Sequence, residues 1–146
     1  FGQSNYGAAK MAVIGLMNTL VIEGHKNDIR VNALAPTAAT RMTEDLMPQE
    51  ILDMLKPEAV TAGALALCHK DSPNKFILAA GAGGYAKSGI YETDGVFISE
   101  AEQNVDTINS AIGKISDTSG LQELQSGSKQ GEKFLGKAME FVNSQK

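Results

Sequence analysis

Apolar residues recur along this chain at two periods. From Tyr6 to about Gly24, Val13, Leu16, Met17, Leu20 and Val21 fall three and four residues apart, the spacing that lines one buried face of an α-helix. Gly7, Ala8, Ala9, Ala12 and Gly15 crowd its N-terminal end, where small side chains let a helix or a ligand approach the backbone closely. Gly24 and Asn27 supply the stop. Ile29, Val31, Ala33 and Ala35 then alternate with Arg30, Asn32 and Leu34 as far as Pro36, a period of two that predicts a short strand. A helix, a polar turn and a strand in this order form the repeat of a parallel α/β sheet.

Residues 37–57 contain boundary prolines, Pro48 and Pro57, and a short apolar patch of Ile51, Leu52 and Leu55, and are expected to form a lid with one or two small helices. Pro57 opens the next helix, with Val60, Ala64, Leu67 and Cys68 as its apolar face, and Asp71-Ser72-Pro73-Asn74 ends it. Phe76 to Ala80 reads as a second buried strand. Gly81-Ala82-Gly83-Gly84 follows it, but a dinucleotide phosphate loop needs a helix directly afterwards. Tyr85 to Ile98 offers Gly89, Gly95 and two short apolar clusters instead, and is expected to be a strand or hairpin extension. Ser99 and Glu102 have the spacing of a capping box ahead of Val105, Ile108, Ile112 and Ile115. A Ser-, Gly- and Gln-rich linker over 116–129 then leads to a terminal helix carrying Phe134, Leu135, Ala138, Phe141 and Val142.

Composition narrows the chemistry. A chain of 146 residues that is 42% apolar can hold one modest core. A formal charge of -4, with 5% aromatic residues, no Trp and no basic stripe, excludes a nucleic-acid surface. No apolar run approaches the roughly 20 residues that cross a bilayer, so no membrane partner and a cytoplasmic location are expected. The single cysteine, Cys68, excludes an internal disulfide framework and a zinc site of paired thiolates; no metal is expected, and Cys68 reads as inert packing. His25 and His69 lie near helix ends and read as structural. The seven acids and one lysine of residues 91–123 read as a solvated face.

One pair can carry chemistry. Tyr6 and Lys10 are four residues apart at the start of a helix, so both project from one face. An ammonium beside a phenol favours the phenolate, which turns tyrosine into a proton carrier near neutral pH. Taken alone, the spacing also fits a solvated structural pair.

The surrounding residues add to this. Phe1-Gly2-Gln3-Ser4-Asn5-Tyr6-Gly7-Ala8-Ala9-Lys10, the small-residue helix, and Ile29-Arg30-Val31-Asn32-Ala33-Leu34-Ala35-Pro36 together resemble the C-terminal half of the short-chain dehydrogenase/reductase family. Ala35-Pro36-Thr37-Ala38-Ala39-Thr40-Arg41-Met42-Thr43, Met47-Pro48 and Leu55-Lys56-Pro57-Glu58 resemble its (3R)-hydroxyacyl-CoA dehydrogenase branch, found in peroxisomal multifunctional enzymes and bacterial relatives. Thr37 stands where most of the family has glycine, and that branch shares the departure.

The resemblance implies the C-terminal half of a Rossmann-like, doubly wound α/β sheet over residues 1–98, followed by a helical extension over 99–146. It implies an oxidoreductase that interconverts a secondary alcohol and a ketone with NAD or NADP. Tyr6 and Lys10 would be catalytic, and both would also meet the nicotinamide ribose. Pro36, Ala38, Ala39, Thr40 and Arg41 would flank the cofactor, while Met42 and Met47 would line the substrate lid. An acyl-CoA is the leading substrate, with hydroxysteroids and 3-oxoacyl-carrier-protein as alternatives. A homodimer through the Tyr6 helix is expected, as is a peroxisomal location if the source is a eukaryotic multifunctional enzyme.

The family's glycine-rich phosphate loop, adenine-site acid and catalytic serine lie ahead of the tyrosine and have no counterpart in these residues. The chain is therefore expected to be a fragment, inactive and aggregation-prone alone. A non-catalytic oligomerising piece is the competing reading.

Overall fold

The computed structural model describes residues 2–41 and 46–145, so Met42, assigned above to the lid, lies outside the described residues. The chain forms two compact units, Phe1–Gly89 and Ile90–Lys146. The first unit ends in sequence at Gly89 and the second begins at Ile90.

In the first unit the helix α1 runs over Ser4–Gly24, followed by a 3-10 turn at His25–Asn27 and then β1 at Ala33–Pro36. Asp28, at φ 53°, takes the left-handed conformation that reverses the chain. A Cβ on Gly24 would lie 2.9 Å from that of Ile29, so only glycine permits so tight a return. Two helices, α2 (Gln49–Met54) and α3 (Glu58–Cys68), lead to the hairpin β2 (Ile77–Gly81) and β3 (Gly84–Ser88).

The sheet order is β1-β2-β3. β1 and β2 are parallel, with Ala33 opposite Ile77 and Pro36 opposite Ala80, and β3 returns antiparallel. The α/β, Rossmann-like class expected from the sequence is the one observed. Gly81-Ala82-Gly83-Gly84 is the hairpin turn: Ala82 and Gly83, at φ 49° and 79°, are the two central residues of a type I′ geometry, whose twist suits the flanking strands.

The Ile29–Ala33 motif does structural work through its polar members. Asn32 donates from Nδ2 to the Pro73 carbonyl at 2.7 Å, and its Oδ1 accepts the Phe76 N–H at 3.0 Å. Arg30 Nη1 donates to the carbonyls of Lys70 and Ser72, and Asn74 Oδ1 accepts the Val31 N–H at 2.8 Å. These bonds fasten the α3–β2 loop alongside the entry to β1 and set the parallel register. α3 lies on the sheet at Gly63, where a Cβ would come within 2.9 Å of Leu78 and 3.0 Å of Tyr85. Tyr85 Oη closes that contact by donating to the Ala59 carbonyl at 2.9 Å.

Periodicity picks the wrong face of α1. Met17 is buried and Val21 half-buried, but Val13, Leu16 and Leu20 remain 53%, 59% and 39% exposed. The packed positions are Ile14, Met17, Asn18, Val21 and Gly24. The helix is apolar on several sides, so spacing alone could not choose among them. Cys68, expected in the packed face of α3, is exposed; Ala59, Val60, Gly63, Ala64 and Leu67 form that face instead.

In the second unit, Ser99 Oγ donates to Glu102 Oε2 at 2.7 Å around a 3-10 turn at Glu100–Glu102 and does not cap the long helix. Asn104 is the cap of α4 (Val105–Ile115), its Oδ1 accepting the Thr107 N–H at 2.9 Å. The linker expected over 116–129 is more ordered than its composition implies. It holds a 3-10 turn at Thr118–Gly120, Gln122 bridges Glu92, and α5 begins at Gly127 and runs to Ser144. Glu92 and Asp94, read as part of a solvated face, are paired with Lys133 and Lys137 of α5.

Candidate active site

α1 starts immediately before the Tyr6 and Lys10 pair singled out in the sequence. Gln3 O accepts the Gly7 N–H at 2.8 Å, and Asn5 Oδ1 accepts the Tyr6 N–H at 2.8 Å, so Tyr6 is fixed in the first turn. Lys10, one turn on, places Nζ 5.4 Å from the centre of the Tyr6 ring. Tyr6 is 59% exposed and Lys10 is exposed as well, which leaves the phenol and ammonium open to a ligand.

A second cluster forms where β1 ends. Pro36 lacks an N–H, and the ladder resumes at Thr37, whose N–H donates to the Ala80 carbonyl at 2.8 Å. Gly81 lies against Thr37, where a Cβ would sit 2.7 Å from the carbonyl oxygen. Ala39 N–H donates to the Leu55 carbonyl at 2.6 Å, which ties the segment to the end of α2. Ala39 and Thr40 line a cavity of about 240 Å³ with Gln49, Leu52, Lys56 and Pro57. Ala38 and Ala39 are half-buried, whereas Pro36, Thr40 and Arg41 are exposed. In open α/β sheets this region, beyond the carboxyl end of a parallel strand, is where ligands bind.

Of the sequence-predicted residues, Tyr6 joins Lys10 on α1, and Ala39 and Thr40 join α2 beyond β1. Met47 is 37% exposed between the described ends of the lid. Sequence reasoning missed the close approach of Gly81 to Thr37. Its only signal was a glycine ending a strand, which the turn that follows already explained. Among the described residues no group of three or more His, Cys, Asp or Glu could hold a metal ion. None of their helices is long and apolar enough to cross a membrane. His69 Nδ1 accepts the Asp71 N–H at 3.2 Å, a local bond at the end of α3.

The helix, turn and strand order and the parallel pairing of β1 with β2 agree with comparison to known proteins. Residues 1–51 match the family model for short chain dehydrogenase. A short-chain type dehydrogenase/reductase of Mycobacterium tuberculosis is 40% identical over 123 residues, covering 84% of this chain and 43% of that protein. Peroxisomal multifunctional enzyme type 2 of Mus musculus is 43% identical over 104 residues, covering 70% of this chain and 14% of that protein. The structure of full-length peroxisomal multifunctional enzyme type 2 from Drosophila melanogaster superimposes with a TM-score of 0.79 at 27% identity, over 100% of this chain and 26% of that one. The chain thus spans less than half the length of each of these relatives.

Proposed function

We propose that this chain supplies the proton-transfer side of an NAD- or NADP-dependent oxidoreductase that interconverts (3R)-3-hydroxyacyl-CoA and 3-oxoacyl-CoA. The observation that carries the reading is the open Tyr6-Lys10 pair, ring centre to ammonium 5.4 Å, on the first turns of α1.

The residues present fit the nicotinamide end of such a cofactor. Exposed Lys10 donors suit ribose hydroxyls, and the small side chains of Ala38 and Ala39 leave room for a flat ring against the backbone after Pro36. A bound nicotinamide supplies the hydride acceptor or donor. Tyr6 Oη removes the alcohol proton in the oxidative direction and returns it in the reductive one. Lys10 stays within one helical turn of the ring, its ammonium beside the phenol that handles the proton. Pro36, Thr40 and Arg41 would border the cofactor, the Arg41 guanidinium being suited to a phosphate of cofactor or CoA. Met47 offers the unbranched, adaptable side chain that suits an acyl chain.

The likeness to peroxisomal multifunctional enzymes supports the branch whose resemblance implies the acyl-CoA substrate. It also supports a peroxisomal location for the parent protein in a eukaryote, with a cytoplasmic one elsewhere. The exposed Val13, Leu16 and Leu20 of α1 support a homodimer through that helix. They equally favour the second reading, a non-catalytic oligomerising piece.

A substrate panel on the full-length parent protein tests the proposal. The kcat/KM for a (3R)-3-hydroxyacyl-CoA should exceed those for a hydroxysteroid and for a 3-hydroxyacyl thioester on acyl-carrier protein. Preference for either of the latter would replace the substrate, and no turnover of any of them would leave the oligomerising reading.

A further inference from the structure

We propose that Lys56 binds a phosphate group of substrate or cofactor in the cavity beyond β1. The inference rests on the reading that the parent protein turns over an acyl-CoA with NAD or NADP. Of the residues lining that cavity of about 240 Å³, Lys56 is the single charged one. The hydrogen bond from Ala39 N–H to the Leu55 carbonyl, at 2.6 Å, brings it there. Lys56 is the next residue after Leu55, so the backbone carrying the ammonium is tied to the segment proposed to flank the nicotinamide. On its other side Pro57, at φ -53°, leads into α3, and the Ala59 N–H donates to the Lys56 carbonyl at 2.9 Å. An exposed side chain therefore stands on a backbone fixed from both directions.

The polar groups of the cavity suit an oxyanion. Among the described residues no carboxylate pairs with Lys56, whereas Lys129, Lys133 and Lys137 hold Glu132, Glu92 and Asp94. Gln49 Nε2 donates one hydrogen to Asp53 Oδ1 at 3.0 Å, which orients the amide and leaves its second N–H for a ligand. Asp53 itself does not line the cavity. In the proposed reaction the hydroxyl, the thioester and the acyl chain are neutral, and the nicotinamide ring is neutral or cationic. The negative charge brought to the site is therefore phosphate, on the CoA end of the substrate or on the dinucleotide. A compact ammonium with three donors serves either as a point charge.

The test uses the full-length protein and three ligands: a (3R)-3-hydroxyacyl-CoA, the N-acetylcysteamine thioester of the same acid, which has no phosphate, and NADH or NADPH, titrated by its own fluorescence without substrate. Lys56→Gln should raise either the KM for the CoA ester or the Kd for the reduced cofactor by about tenfold. Loss for the CoA ester but not for the phosphate-free thioester puts the phosphate on the substrate. Loss of cofactor binding puts it on the dinucleotide. Lys56→Arg, which keeps the charge, should restore most of the affinity. Lys26→Gln, which removes an equal charge from the 3-10 turn after α1, should change none of these values. Unchanged affinities in Lys56→Gln, equal loss for both thioesters with cofactor binding intact, a loss as large in Lys56→Arg, or one as large in Lys26→Gln would each overturn the proposal. A parent protein that does not turn over the hydroxyacyl-CoA overturns the substrate reading instead, and the cofactor titration of Lys56→Gln then decides the phosphate site alone.

Discussion

Replacing Gly81 by alanine probes how β2 positions the segment after β1. The new Cβ would lie 2.7 Å from Thr37 O and 2.9 Å from Thr37 Cβ, against ordinary contacts of 3.4 Å or more. Neither atom can escape by changing rotamer, because one belongs to the backbone and the other is fixed to it. Thr37 is also tethered through its N–H to Ala80 O at 2.8 Å. The strand end and the loop must separate by several tenths of an ångström. Overpacking of this kind costs roughly 1–3 kcal/mol, which in a domain of about 150 residues lowers Tm by about 2–4 °C per kcal/mol. The displaced Thr37 immediately precedes Ala38 to Arg41, and an ångström-scale misplacement near a reacting centre costs about a hundredfold in rate. Gly81→Ala should therefore lower both Tm and kcat/KM of the full-length enzyme, the latter by roughly tenfold to a hundredfold. Gly113→Ala, within α4 where nothing lies within 4 Å of the new Cβ, is the control. It should raise stability by about 0.5–1 kcal/mol and leave turnover alone. A Gly81→Ala protein that melts and turns over like the parent would refute the argument that this contact holds the loop.

Ala82 holds φ 49°, a conformation that costs an L-residue about 1–2 kcal/mol, so Ala82→Gly should stabilise the hairpin, read as a higher urea midpoint. Asn32→Ala removes an acceptor from Phe76 N–H and a donor from Pro73 O, and should destabilise by about 1–3 kcal/mol in urea unfolding, with kcat retained while folded. The Glu92 carboxyl is held below the usual carboxylate range by the hydrogen bond from Lys133 and then that from Gln130. A depressed folded-state pKa adds stability that is present above the ordinary value of 4.5 and lost as pH falls through the folded one. Amide exchange in α5 should therefore accelerate on acidification, and Glu92→Gln should flatten that dependence. Asp117, held down in the same direction by Ser119, leaves a residual slope; an unchanged profile in Glu92→Gln would remove Glu92 from the account.

Much of this was legible wherever one local rule decided the outcome. The helix holding Tyr6 and Lys10, the strand stopping at Pro36, and the absence of a helix after Gly84 each followed from spacing or from a single breaker residue. The packed face of α1 was not legible, because apolar residues surround that helix and only tertiary contact selects Met17 over Leu16. Asn104 was passed over as a cap because Ser99 and Glu102 matched the capping pattern, yet their bond closes a 3-10 turn instead. The order within 116–129 was hidden because it depends on Glu92, thirty residues from its partner Gln122. Asn32 illustrates the same limit at the site: the motif marks the residue, but only its bonds to Pro73 and Phe76 reveal that it sets the strand register.

The central claim is that Tyr6 moves the substrate proton. Tyr6→Phe keeps the ring over which Lys10 sits and removes only the hydroxyl of an exposed side chain, so folding and assembly should survive. In the full-length enzyme kcat/KM for the hydroxyacyl-CoA should fall by about a hundredfold to ten-thousandfold, with Tm unchanged. Turnover at the parent rate in a folded Tyr6→Phe protein would contradict the account.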